Sequence, residues 1–354
     1  MINAEFQTTG IGSLPHHNVD SALQFAFSTS IPFLPQTPIR NPWEYMLAQA
    51  LEGLPGLQAE SDGTVTLNVA VWESRSAKLD QELTRAFERA DSDLAAFEAF
   101  EPSTAISSSW QPFVWELEER GVKKAKIQIA GPLTSQWSVK TKEGHTLDRN
   151  PEVAMQIYRL VLARALAMSR RLQASGIQPL LYIDEPGLFG LMASSTKFHL
   201  GLQELKLMIQ TLKKDGVEVG LHCCSNTDWD AVLGLGIQVL SLDTALSLRA
   251  LLTPSRLPAI EDFVLSGGRL SLGVIPTARS SVLQSLEPEP IFSELLNAFQ
   301  SSGANSELVR RILTQAIYTP ACGLALHTVA DADLVLELLL EFRDFCETSF
   351  KRNR

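Results

Sequence analysis

Short apolar runs recur along this chain, mostly separated by helical stretches and mostly ended by a polar residue or a proline. Runs of this kind begin at Gly10, Ile31, Lys126, Leu180, Val217, Gln238, Leu270 and Ile317, eight in all. Buried parallel strands read as near-continuous apolar segments, and strands that alternate with helices imply βαβ units. The pattern therefore predicts an α/β protein, a TIM-type (β/α)8 barrel. No change of composition marks a linker, so residues 1–354 read as a single domain. An open, doubly wound sheet is the rival, but no GxGxxG stretch supports a dinucleotide site in it.

The helices carry end signals. Asn18 is placed to cap a helix over Val19 to Ser28, and Asn41-Pro42 opens another. Asn150 precedes a long helix over Pro151 to Ala174, which Gly176 stops. Residues 54–120 are less regular and read as an elaboration between the second and third strands. Within them Thr64 to Trp72 predicts a hairpin strand, and Lys78 to Phe100 has helical spacing.

The apolar content of 45% suffices for a large core, and the formal net charge of −10 argues against a nucleic-acid partner. Four cysteines are too few for a disulfide framework. No apolar run approaches the roughly 20 residues that span a bilayer, and MINAEFQTTG lacks a signal-peptide pattern. A cytoplasmic protein without a membrane partner is expected.

The polar residues at strand ends hold the chemistry that can be read. In GVEVGLHCC, His222 and Cys224 share one face of a strand and Cys223 points to the other. Imidazole and thiolate together suit a borderline-soft cation such as Zn²⁺. Asp243 and Cys322 end later strands at the same rim, and three protein ligands would leave an open position for a thiol substrate. The plain alternative is that these cysteines pack as small hydrophobes, which is the reading adopted for Cys223 and Cys346. Asp184-Glu185-Pro186 ends another strand. Asp184 is a candidate acid–base group or amine ligand, against a loop hydrogen bond as its bland role. Ser13 offers a hydroxyl or neighbouring N–H groups to a carboxylate, or merely forms a turn. His16 and His17 follow the first strand, with proton transfer as the sharper role and surface exposure as the plain one.

These residues in this order resemble the catalytic barrel of cobalamin-independent methionine synthase, in the uroporphyrinogen decarboxylase and methionine synthase-like superfamily. The motifs are IGSLP at 11–15, RNPWEY at 40–45, GPLTSQWS at 131–138, IDEP at 183–186, HCC at 222–224, LSLDTA at 240–245 and PACGL at 320–324. The resemblance implies zinc held by His222, Cys224 and Cys322, with Asp243 standing where the family has a glutamate ligand. It also implies substrate contacts from Ile11, Gly12, Ser13 and Asp184, with Glu185 beside them. Ile39 and Gly190 occupy positions where the family carries further glutamates.

The expectation is thus a zinc-dependent methyltransferase acting on a thiol, homocysteine or a related one. A folate or a methylcorrinoid protein would donate the methyl group. Asp184 and His16 are its expected catalytic groups. Two alternatives remain: a metal-free, decarboxylase-like lyase using Asp184 and His16, and a non-catalytic zinc- or corrinoid-binding protein.

Overall fold

A computed structural model describes residues 5–190 and 196–352. In chain order its strands are β1 (Gln7–Thr8), β2 (Leu57–Ala59), β3 (Val65–Leu67), β4 (Lys124–Ala130) and β5 (Lys140–Thr141). They continue as β6 (Gln178–Asp184), β7 (Glu218–Cys223), β8 (Val239–Asp243), β9 (Arg269–Ile275) and β10 (Ile317–Pro320). Seven of them form one curled, wholly parallel sheet in the order β1-β10-β9-β8-β7-β6-β4. Helices lie between successive strands, among them Pro151–Ala174, Thr196–Lys214 and Pro288–Ser302. Asn18 and Asn150 accept from the first-turn N–H groups of their helices, as their positions predict. Gly176 follows the longer helix at φ +70°, a conformation that suits a residue without Cβ. Among the described residues no helix is long and apolar enough to cross a membrane.

Of the expected eight-stranded barrel, the described residues form this curled, seven-stranded α/β sheet, which is not closed. Ile31 to Pro35, read as the second strand, forms no regular ladder. Pro32 and Pro35 have no N–H to donate, so pairing along this run is interrupted. The run instead makes isolated bridges, Ser13 with Gln36 and Phe33 with Lys126. Ile31 N donates to Thr8 O at 2.9 Å, and Leu34 N donates to Lys126 O at 2.9 Å.

The second correction concerns the elaboration. The strand expected over Thr64 to Trp72 ends at Leu67, paired antiparallel with β2 and parallel with β5. Asn68 then accepts from Val71 N at 3.3 Å and starts the helix Val69–Arg89.

Strand alternation divides the apolar residues between two cores. Leu181, Ile183, Leu221, Leu240 and Leu242 join the large cluster under the helices. Ile31, Leu180, Tyr182, Val239 and Ile317 form a small cluster within the curl. At the start of the strands Glu218 pairs with Lys124 and Arg269, each at 2.5 Å, and Arg269 also donates to Gln7 at 2.6 Å. Polar residues reappear at the other end.

Candidate active site

Register assembles the site. Asp184 of β6 pairs with His222 of β7, and His222 pairs with Ser241 of β8. Neighbouring parallel strands in register present same-face residues in one layer. All three are buried. His222 Nδ1 lies 2.9 Å from Ser241 Oγ, which fixes the ring's orientation. Asp184 Oδ1 is buried without a hydrogen-bond partner.

Cys224 lies one residue beyond β7, half-buried, and Cys322 lies just past β10, exposed. Cys224 interacts electrostatically with both Cys322 and His222. Donation from Cys322, then from His222, pulls the Cys224 thiol down to about 4. Cys322 is pushed up because it holds its proton toward Cys224, with burial adding to the effect. Asp243 also feels both Cys224 and His222, and burial raises its carboxyl. Its Oδ1 accepts from Ala245 N at 2.8 Å and Leu246 N at 3.2 Å, so part of its acceptor capacity is used in capping the π-helical turn Thr244–Leu248.

Below this layer lies a residue that the sequence reading missed. Lys126 is fully buried, and its Nζ donates to Ile11 O at 2.5 Å and Gln128 Oε1 at 3.0 Å. It also sits 4.7 Å from the Tyr182 ring centroid. Burial lowers its pKa to about 8, opposed by Asp184; burial raises Asp184 to about 6, opposed by His222 and then Lys126. The segment 11–13 is thereby tied to the site. Gly12 has φ +147°, and a Cβ there would stand 2.6 Å from the Gln128 amide nitrogen. Ser13 O accepts from Leu324 N at 2.8 Å, and its hydroxyl lies against Gly323, next to Cys322.

Two expected site residues are not brought to this cluster. Glu185 faces away, fully buried, and accepts from Leu133 N at 3.0 Å, Thr134 N at 2.7 Å and Thr134 Oγ1 at 2.6 Å. It anchors the first turn of the helix Pro132–Ser138, a structural role that occupies the carboxylate. His16 is buried against Phe25, ring centroids 5.5 Å apart, beside a cavity of about 540 Å³ that Asp333 of the last helix also lines. Strand alternation explains the first departure. The second follows from the chain turning at Pro15 toward the helix Val19–Phe27.

A cavity of about 360 Å³ adjoins the cluster, lined by Asp243, Thr244, Leu248, Gly273, Leu295 and Ala321. Cys223 and Cys346 are buried, with burial raising their thiols to about 11 and about 12. Among the described residues no three His, Cys, Asp or Glu side chains are grouped as a ready metal site. The donor set of one imidazole and two sulfurs, with a carboxylate nearby, is nevertheless of the chemistry that zinc takes.

No family model matches the chain, and no curated protein does. Among solved structures, a B12-independent methionine synthase from Shewanella sp. W3-18-1, in complex with selenomethionine, aligns at 14% identity. That alignment covers 68% of this chain and 68% of that one, with a TM-score of 0.47. A methyltransferase from Methanosarcina mazei aligns at 12% identity over 68% of this chain and 65% of its own, with a TM-score of 0.45.

Proposed function

We propose that this chain is a zinc-dependent methyltransferase with a thiol acceptor, homocysteine or a related thiol. The observation that supports the reading is that His222, Cys224, Cys322, Asp184 and Asp243 lie at the ends of the parallel strands and act on one another's ionisation there. His222, Cys224 and Cys322 would hold the metal, with Asp243 available as a fourth donor. Zinc, when bound, would lower the pKa of the acceptor thiol so that it attacks as thiolate. Ser241 holds the His222 ring, Asp184 receives a positively charged or proton-bearing group of the acceptor, and Ser13 borders the same opening. The reading also takes Ile31 to Pro35 as the eighth stave of a barrel and the open face as the approach of a folate or methylcorrinoid donor.

A metal-free acid–base enzyme is the second reading, favoured by the raised Asp184 carboxyl beside the buried Lys126. It would use Asp184 without His16, which lies elsewhere. Zinc content separates the two. About one zinc per chain, lost in both Cys224→Ala and Cys322→Ala, supports the methyltransferase and directs assays with methylated folate or cobalamin donors. Reduced protein that holds no zinc and refuses added metal sinks that reading.

A further inference from the structure

We infer that the cavity beside Asp243 binds an uncharged apolar group, an alkyl chain or a single aromatic ring, and that the acceptor is a thiol bearing such a group. That a thiol carries the group rests on the reading above, while the preference of the cavity stands without it. The cavity measures about 360 Å³, within the range of small-molecule pockets. It borders two strand ends of the candidate site, through Asp243 at the end of β8 and through Ala321, one residue before Cys322. The buried part of its wall is Leu248, Gly273, Val274, Leu295, Ala298 and Ala321, without one polar side chain. Its charged residues lie outside that wall. Asp243 belongs to the strand-end cluster, and Arg249 and Glu294 are exposed and opposite in sign, so the pair selects no ion. Among the described residues that line the cavity, none holds a buried side-chain polar atom without a partner. What fills this space therefore needs bulk and no hydrogen bond.

The walls are fixed and two of them are small. Thr244 Oγ1 donates to Gly273 O at 2.8 Å, which fastens the turn after β8 to β9. Ala321 N donates to Ile275 O at 2.8 Å, and Ser280 N donates to Asp331 Oδ1 at 2.7 Å, which fastens the chain beyond β9. A Cβ at Gly273 would stand 2.8 Å from Ala321 Cα, so the bare backbone lets β9 and this wall meet. Ala298 and Ala321 add only methyl groups, and a larger side chain at either would take up room that a ligand uses. One wall is the π-helical turn Thr244–Leu248, a geometry that recurs at functional sites. Leu246 of that turn also lines the cavity, yet it is 65% exposed. An apolar occupant would cover it.

The test uses the full chain, reduced, freed of metal by a chelator and labelled at its isoleucine and leucine methyl groups. Added 1-hexanol should move the Ile291 and Leu295 methyl resonances. From 1-propanol to 1-hexanol the Kd should tighten about fourfold per methylene. Ala298→Phe, which fills the space, should weaken 1-hexanol by roughly tenfold or more while methyl resonances elsewhere stay in place. Where that variant fails to fold, Ile291→Asp, at a half-buried wall position, should give the same loss, read at Leu295. Equal affinity along the series, shifts confined to other methyl groups, or binding untouched in the variants overturns the inference. The matching thiols are then added to chain loaded with Co²⁺, where sulfur-to-cobalt absorption reports a metal-bound thiol. The same gain per methylene from ethanethiol to 1-hexanethiol supports an acceptor whose chain lies in the cavity. A chain that takes no metal but ranks the alcohols by length keeps the cavity and loses the thiol. Thiols that bind cobalt alike at every length keep the metal and overturn the part given to the cavity.

Discussion

The imidazole of His222 and the hydroxyl of Ser241 are neighbours across β7 and β8, 2.9 Å apart and in register. A ring nitrogen held in this way leaves the other free for a single assigned partner. Ser241→Ala should leave the fold in place but free the ring to turn. Zinc affinity, measured by competition with a chromogenic chelator, should fall by about 10- to 100-fold. Unchanged affinity would mean that Ser241 does not orient a ligand.

Lys126 is a buried cation whose Nζ donates to Ile11 and Gln128 and whose charge opposes that of Asp184. Lys126→Met should cost on the order of 3 kcal/mol in urea unfolding, because it strands a buried carboxylate and two acceptors. It should also move Asp184 further upward from about 6, since the favourable charge nearby is gone. Carboxyl titration followed by infrared spectroscopy reads that shift directly; a downward shift would refute the coupling.

Burial raises the Glu185 carboxyl from 4.5 to about 7, against the pull of its Thr134 and Leu133 donors. The folded chain therefore binds this proton more tightly than the unfolded chain does. The contribution is complete below the unfolded value of 4.5 and is lost as pH rises through about 7. Between pH 5 and pH 8 the parent should lose roughly 3 kcal/mol relative to Glu185→Gln. Parallel pH profiles of unfolding for the two chains would contradict this account.

Much of the site was legible in the sequence because strand ends are legible. Asp184, His222 and Asp243 each close an apolar run, and parallel pairing turned those ends into one rim. Ser241 and Lys126 escaped notice for a shared reason. A serine or lysine inside a strand looks like ordinary alternation until the opposite face is known to be buried. His16 misled because its position after the first strand suggested the rim, whereas the turn at Pro15 sends it beneath a helix. The Asp184-Glu185 pair could not be resolved by adjacency alone. The helix Pro132–Ser138 resolves it, since its first turn takes Glu185 as a cap.

The ion pairs of Glu218 with Lys124 and Arg269 stopper the curl at the end away from Asp184. The apolar cluster of Ile31, Leu180, Tyr182, Val239 and Ile317 lies between those ion pairs and the layer of Asp184, His222 and Ser241, so a ligand of that layer meets it from the strand ends that carry Cys224 and Asp243.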